Sequence, residues 1–133
     1  ILQFKKPQFL SAPEMKNIIE KCESAGNNKI TLCERGNSFG YNNLIVDMAS
    51  FQIMKSFGVK TIHDATHCVQ KPGGLGQKSG GNREYVPYMA NAAKAFDVDG
   101  YFFEIHPDPD CALSDGPNMV KLENMEEILK SLL

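Results

Sequence analysis

Four short runs of this chain alternate apolar and polar residues or hold a tight apolar block, and each leads into a stretch with helical periodicity. The runs are 1–6 (ILQFKK), 29–35 (KITLCER), 60–67 (KTIHDATH) and 100–106 (GYFFEIH), and they predict β-strands. After the first, Met15, Ile18, Ile19 and Cys22 share one helical face, with Ser11 and Glu14 as a capping-box pair ahead and Gly26 behind. Val46, Ala49, Ile53 and Phe57 form a second stripe, stopped at Gly58. Val86, Met89, Ala90 and Ala93 form a third, and Met125, Ile128, Leu129 and Leu132 a fourth. The order is βα four times over, which predicts parallel strands joined by helical crossovers.

The strand faces sharpen this picture. Leu2, Phe4, Ile30 and Leu32 alternate with Gln3, Lys5, Thr31, Cys33 and Arg35. In the fourth run, Tyr101, Phe103 and Ile105 alternate with Phe102, Glu104 and His106. One face suits packing against helices, and the other turns polar and ionisable toward the carboxy ends. That is the expectation for strands of a TIM (β/α)8 barrel, whose inner face carries reactive groups at that rim. Asp64 breaks the pattern, because it falls on the face of the third run where apolar residues are expected. Four βα units make half of such a barrel, which takes roughly 250 residues. A lone half leaves two strand edges open, and the chain starts without Met on a strand pattern. The expectation is therefore that 1–133 is half of a single α/β (β/α)8-barrel domain, the other reading being a small, complete, non-catalytic α/β binding module.

Composition narrows the partners. The net charge of -2 gives no electrostatic ground for nucleic acid or an anionic membrane, and no run approaches the ~20 apolar residues of a membrane span. Cys22, Cys33, Cys68 and Cys111 stand far apart without a C-x-x-C pair, which suits free thiols in a cytoplasmic protein.

Residues able to carry chemistry cluster just after the strands. Lys5, Lys6 and Gln8 close the first, where lysines either meet an anion or simply edge the sheet. Arg35 and Arg83 are the two arginines against twelve lysines, and both lie beside glycines. A guanidinium fork suits a phosphate or carboxylate, an ordinary ion pair being the alternative; for Arg83 a solvated side chain in a first helical turn is the stronger reading. From Gly73 to Gly81 five of nine residues are glycine, which predicts a lid or a merely flexible loop. His67, Glu104 and Asp115 follow neighbouring strands, and one imidazole with two carboxylates makes a divalent-metal set or three separately hydrogen-bonded side chains. Asp108, Asp110 and His63 read as structural.

Taken together, FKKPQFLSAPEM, CERGNSFGYNNLIVDM, DATHCVQKPGGLGQKSGGNRE and FFEIHPDPDCALSDGP resemble, in order and spacing, the 3-deoxy-D-manno-octulosonate 8-phosphate synthase family. The resemblance runs nearly from end to end and covers the carboxy-terminal half of a family member, its last four βα units. It implies a transferase of lipopolysaccharide (Kdo) biosynthesis that condenses phosphoenolpyruvate with arabinose 5-phosphate, releasing phosphate. The related deoxy-arabino-heptulosonate 7-phosphate synthases share fold and phosphoenolpyruvate chemistry, but the DATH and GGLG-x-KSGG segments set them apart.

By the same resemblance, Lys5, Gln8 and Arg35 match positions holding phosphoenolpyruvate, and Ser79 matches one near the sugar phosphate. His67, Glu104 and Asp115 match three ligands of a divalent metal, Zn or Fe, with His67 and Asp115 also in catalytic roles. Ser114, where metal-independent members tend to have cysteine, points to the metal-dependent branch. The ligand cysteine and the asparagine-arginine-serine segment for the sugar phosphate lie outside the matched half, and none of the four cysteines here corresponds to that ligand. The resemblance further implies a homotetramer.

Overall fold

The computed structural model describes residues 1–74, 76 and 79–133. In chain order the elements are β1 (Leu2–Lys5), α1 (Lys16–Ser24), β2 (Ile30–Glu34), β3 (Asn37–Ser38), β4 (Leu44–Ile45), α2 (Ala49–Lys55) and β5 (Lys60–Asp64). They continue with β6 (Gln70–Lys71), β7 (Gly80–Gly81), α3 (Val86–Ala95), β8 (Gly100–Phe102), β9 (Ile105–His106), β10 (Val120–Lys121) and α4 (Met125–Leu132). The main sheet runs β1-β2-β5-β8 in chain order, and every neighbouring pair is parallel. The fold is thus α/β around a parallel sheet. No helix among the described residues is long and apolar enough to cross a membrane.

Register divides the sheet into two faces. Phe4 lies beside Leu32 and Leu32 beside Thr61, while Glu34 lies beside His63 and His63 beside Tyr101. This face packs on the helices: Leu32, Met15, Phe51 and Met54 are fully buried, with Phe4 and Tyr101 against them. A second cluster joins Val86 and Ala90 of α3 to Val120, Met125 and Ile128, with Tyr101 and Phe103 against it. The opposite face carries Lys5 beside Cys33, Cys33 beside Ile62, and Asp64 beside Phe102.

That register corrects the expectation for the third strand. Asp64 belongs to the same face as Lys5 and Cys33, so it continues the ionisable pattern. On β5 the polar residues of the helix-packed face are Thr61 and His63, both fully buried. Lys6 also departs from the pairing suggested by its neighbour Lys5. It turns to the helix side, fully buried, 3.4 Å from Glu34 Oε2, and donates to Leu10 O at 3.0 Å and to Asn37 Oδ1.

The helices form where their apolar stripes fall, although α2 is shorter than its stripe and α4 leaves Leu129 half exposed. Gly26 and Gly58 follow α1 and α2 with φ of 82° and 79°, a conformation that costs glycine nothing. Of the capping box, one half is realised: Ser11 N and Oγ both donate to Glu14 Oε2, at 2.9 and 2.8 Å. β5 stops at Asp64, short of the expected end, because Asp64 Oδ1 accepts from His67 N at 2.9 Å and draws the chain into the 3-10 turn His67–Val69. β6 and β7, on either side of the glycine-rich segment, pair antiparallel. The lid expectation falls partly on Leu75, Gln77 and Lys78, which lie outside the described residues.

His63 makes stability depend on pH. Burial, only partly opposed by the Asp64 charge, lowers its pKa from 6.5 to about 4. Between those values the unfolded chain binds the proton and the folded chain does not, so this contribution is complete above the unfolded value and is lost as pH falls. From about pH 7.5 to about pH 5 the parent is expected to lose about 2 kcal/mol more than a His63→Gln variant. Urea unfolding followed by far-ultraviolet circular dichroism measures the difference; equal losses would remove His63 as the cause.

Candidate functional site

The carboxy ends of the four main strands bring their ionisable side chains together around Asp64. This carboxylate has no exposed surface, so its charge has to be met by neighbours. Lys5 Nζ, from the end of β1, lies 2.7 Å from Asp64 Oδ2 and 3.8 Å from the centroid of the Phe102 ring. His67 Nδ1 lies 2.8 Å from the same oxygen, and His67 N completes the ring of contacts. Burial alone would raise the Asp64 carboxyl, but the hydrogen bonds from the His67 ring and backbone and from Lys5 together hold it below the usual range.

With Nδ1 on Asp64, the other ring nitrogen of His67 is fixed in direction. Nε2 lies 3.0 Å from Glu104 Oε2. The Glu104 backbone is held on both sides, its N–H donating to Thr66 Oγ1 at 2.8 Å and its carbonyl accepting from Val120 N at 3.0 Å. Asp115 arrives from the loop before β10, with φ of 52°, and its carbonyl accepts from Asn118 N and Met119 N at 2.8 and 3.1 Å. One donor atom from each of His67, Glu104 and Asp115 lies within 4.8 Å of the others.

The donor chemistry of this group fits a divalent cation. An imidazole whose Nδ1–H is given to a carboxylate presents a lone pair at Nε2, the usual arrangement behind a metal-bound histidine. Nε2 and the Glu104 oxygen face one another at 3.0 Å, and a positive centre shared between them would satisfy both. The buried thiols of Cys33 and Cys68 are poor nucleophiles. Burial, with the Asp64 charge adding to it, pushes Cys33 up to about 12, and burial pushes Cys68 up further, so both stay protonated.

Lys5, Gln8, Arg35 and Ser38 line an open cavity of about 430 Å³. Arg35 NH2 donates to Gln70 Oε1, and Arg35 Nε is buried with no partner among the described residues. A guanidinium with a donor to spare beside a lysine is suited to an anion. Gln8 is held by Ser38, whose Oγ donates to its Oε1 at 2.9 Å. Ser79 lies elsewhere, in a second cavity of about 440 Å³ that it shares with Ser114, Asp115 and Gly116.

The substrate-binding residues expected from sequence therefore fall into two groups, Lys5, Gln8 and Arg35 in one cavity and Ser79 beside Asp115 in the other, while His67, Glu104 and Asp115 form the cluster. Asp64 was legible only as an anomaly, although an aspartate three residues before a histidine (DATH) is the signal for the pair. Gln70 and Thr66 carried no signal. Arg83, partly exposed in a first helical turn as expected, also donates to Asp110 Oδ1 at 2.6 Å and to Gly116 O at 2.8 Å, bracing the loop that presents Asp115.

These elements define an α/β protein with a cation-ready cluster next to an anion-ready cavity at the carboxy ends of a parallel sheet. The chain belongs to the DAHP synthetase I family, whose model matches residues 1–132. It is 55% identical over 132 residues to a 2-dehydro-3-deoxyphosphooctonate aldolase of Geobacter sp. (strain M21), covering 99% of this chain and 48% of that protein. Proteins of the same name from Desulfatibacillum aliphaticivorans and Xanthomonas campestris pv. campestris (strain B100) are 56% and 52% identical, covering 97% and 99% of this chain and 47% and 48% of theirs. The chain spans about half the length of these curated relatives.

Replacing Asp64 by Asn keeps the size of the side chain but removes the charge that orients His67. Loss of such a partner is expected to weaken divalent-cation binding by roughly 10- to 100-fold, with the far-ultraviolet spectrum preserved. Titration of the intact protein with cobalt(II), followed by its visible absorption, reads this directly; unchanged affinity would separate Asp64 from the cluster.

Proposed function

We propose that the protein to which these residues belong condenses phosphoenolpyruvate with D-arabinose 5-phosphate, giving 3-deoxy-D-manno-octulosonate 8-phosphate and phosphate in Kdo biosynthesis. The observation that carries the reading is the gathering of an anion-ready cavity and a cation-ready cluster at one rim of the sheet, in a chain so similar to proteins named 2-dehydro-3-deoxyphosphooctonate aldolase. In this reading 1–133 is the carboxy-terminal half of a TIM (β/α)8 barrel. Two features support it: the strands lie in chain order without reversal, and the core clusters lie on one face of the sheet. A doubly wound sheet reverses its order and carries helices on both faces, whereas a barrel wall does neither.

Lys5, Gln8 and Arg35 hold the carboxylate and phosphate of phosphoenolpyruvate, and Ser79 contacts the sugar phosphate. Two anionic substrates repel one another, so cationic clamps both neutralise and orient them. C3 of phosphoenolpyruvate forms the new bond to the aldehyde carbon, water adds at C2, and the C2–O bond to phosphate breaks. His67, Glu104 and Asp115 hold a divalent ion, Zn or Fe, which when bound supplies polarisation of the aldehyde or of the attacking water. Asp64 keeps the His67 ring aimed. The protein works in the cytoplasm as a homotetramer.

Phosphate release by the intact protein, given phosphoenolpyruvate and arabinose 5-phosphate, is the test. Turnover is expected to vanish in excess chelator and to return with divalent metal. Arg35→Ala is expected to raise the KM for phosphoenolpyruvate by roughly 10- to 150-fold, the worth of about 1.5–3 kcal/mol of charged hydrogen bonding. No turnover with or without metal sinks the reading, and a preference for erythrose 4-phosphate transfers it to the related heptulosonate synthase.

A further inference from the structure

Gln70 stands between the two groups of site residues and belongs to neither. Its side chain sits on β6, and the residue is only 8% exposed. Both ends of its amide are used: Oε1 accepts from Arg35 NH2, and Nε2 donates to Asp115 Oδ1 at 2.6 Å. The orientation is dictated by the partners, because a guanidinium can only donate and a carboxylate can only accept. Arg35 lines the cavity of about 430 Å³ and Asp115 the cavity of about 440 Å³. One rigid, planar group therefore joins the two cavities through two hydrogen bonds, both to charged partners.

We propose that Gln70 is a positioning residue that couples anion binding at Arg35 to cation binding at Asp115. The proposal rests on the reading above, in which Arg35 clamps phosphoenolpyruvate and Asp115 is a metal ligand. A cation on the Asp115 carboxylate fixes its rotation, and Oδ1 then fixes the Gln70 amide. The amide in turn holds the Arg35 fork in place before the anion arrives. The second ligand meets a side chain already ordered and loses less freedom on binding. Linkage makes the effect reciprocal: whatever factor the cation contributes to anion affinity, the anion contributes to cation affinity.

The experiment titrates the intact protein with cobalt(II), followed by its visible absorption, with and without saturating phosphoenolpyruvate. In the parent, phosphoenolpyruvate is expected to tighten cobalt(II) binding at least about fivefold, the lower end of ordinary couplings. Gln70→Leu fills the same space without hydrogen bonds and is expected to bring that factor close to one while cobalt(II) still binds. A merely structural role would shift the affinities and leave their ratio. If Gln70→Leu does not fold, Gln70→Glu serves instead, because its carboxylate can still accept from Arg35 but repels Asp115, and the factor is again expected near one. A folded variant that keeps the parent's factor overturns the proposal, as does a parent that binds both ligands without coupling. A parent that binds neither overturns the functional reading itself, and the two failures are thereby told apart.

Discussion

A carboxylate without exposed surface imposes the geometry of the strand ends. Asp64 is held ionised by Lys5 from β1 and by the ring and backbone of His67, and none of these contacts is replaceable by water, which does not reach it. Leaving such a charge unmatched costs several kcal/mol, so the end of β1, the end of β5 and the turn after β5 are tied to one another. The turn fixes where the imidazole starts, and the bond to Nδ1 fixes where Nε2 points. Glu104 then meets Nε2 because its own backbone is held by Thr66 and Val120. The cluster is a consequence of satisfying one buried charge.

The opposite face of the sheet solves a similar problem differently. Lys6 and Glu34 are both fully buried, one residue along from Lys5 and one residue before Arg35. Burial pushes the Glu34 carboxyl above its usual value, against the pull of Lys6 and the Gly36 N–H. A buried pair is weak evidence for stability, but breaking it strands a charge. Lys6 also bonds Leu10 O and Asn37 Oδ1, and Glu34 Oε1 accepts from Gly36 N at 2.6 Å. The ends of β1 and β2 are thus pinned from the helix side, and alternation turns Lys5 and Arg35 to the other face, into one cavity.

Much of this organisation was legible in the sequence, for physical reasons. Helix stripes such as Met15, Ile19 and Cys22 repeat over several turns, and the main strands alternate over at least three residues, so period and face could be read. The pairings β3–β4, β6–β7 and β9–β10 involve two residues per strand, too few for any period to show. Asp64 was read on the wrong face because Ile62 is its same-face neighbour, while Thr61 and His63 are buried by tertiary packing that no local pattern announces. Histidine and carboxylates after strands stand out as chemistry, so His67, Glu104 and Asp115 could be singled out, and the structure brings one donor atom of each within 4.8 Å of the others. Gln70 did not stand out, because an amide acquires meaning only from the two charges on either side of it.

The loop that presents Asp115 shows how a strained position is maintained. A residue other than glycine at φ of 52° is sparsely tolerated, aspartate better than most, and such strain persists where the surroundings over-determine it. Here they do. The Asp115 carbonyl takes two backbone N–H groups, Arg83 donates to Gly116 O, and Arg83 N donates to Pro117 O at 3.2 Å. Gly116 allows the close approach, since a Cβ there would stand 2.5 Å from Pro109 O. Gly81 does the same on β7, where a Cβ would overlap Asn118 Oδ1 at 1.4 Å. Gly81 thus lets β7 pack its backbone against the Asn118 side chain, while Gly116 lets the Asp115 loop fold back onto the Pro109 backbone. That packing is what brings Gln70 within reach of Asp115, so the link between the cavities depends on residues that touch neither ligand.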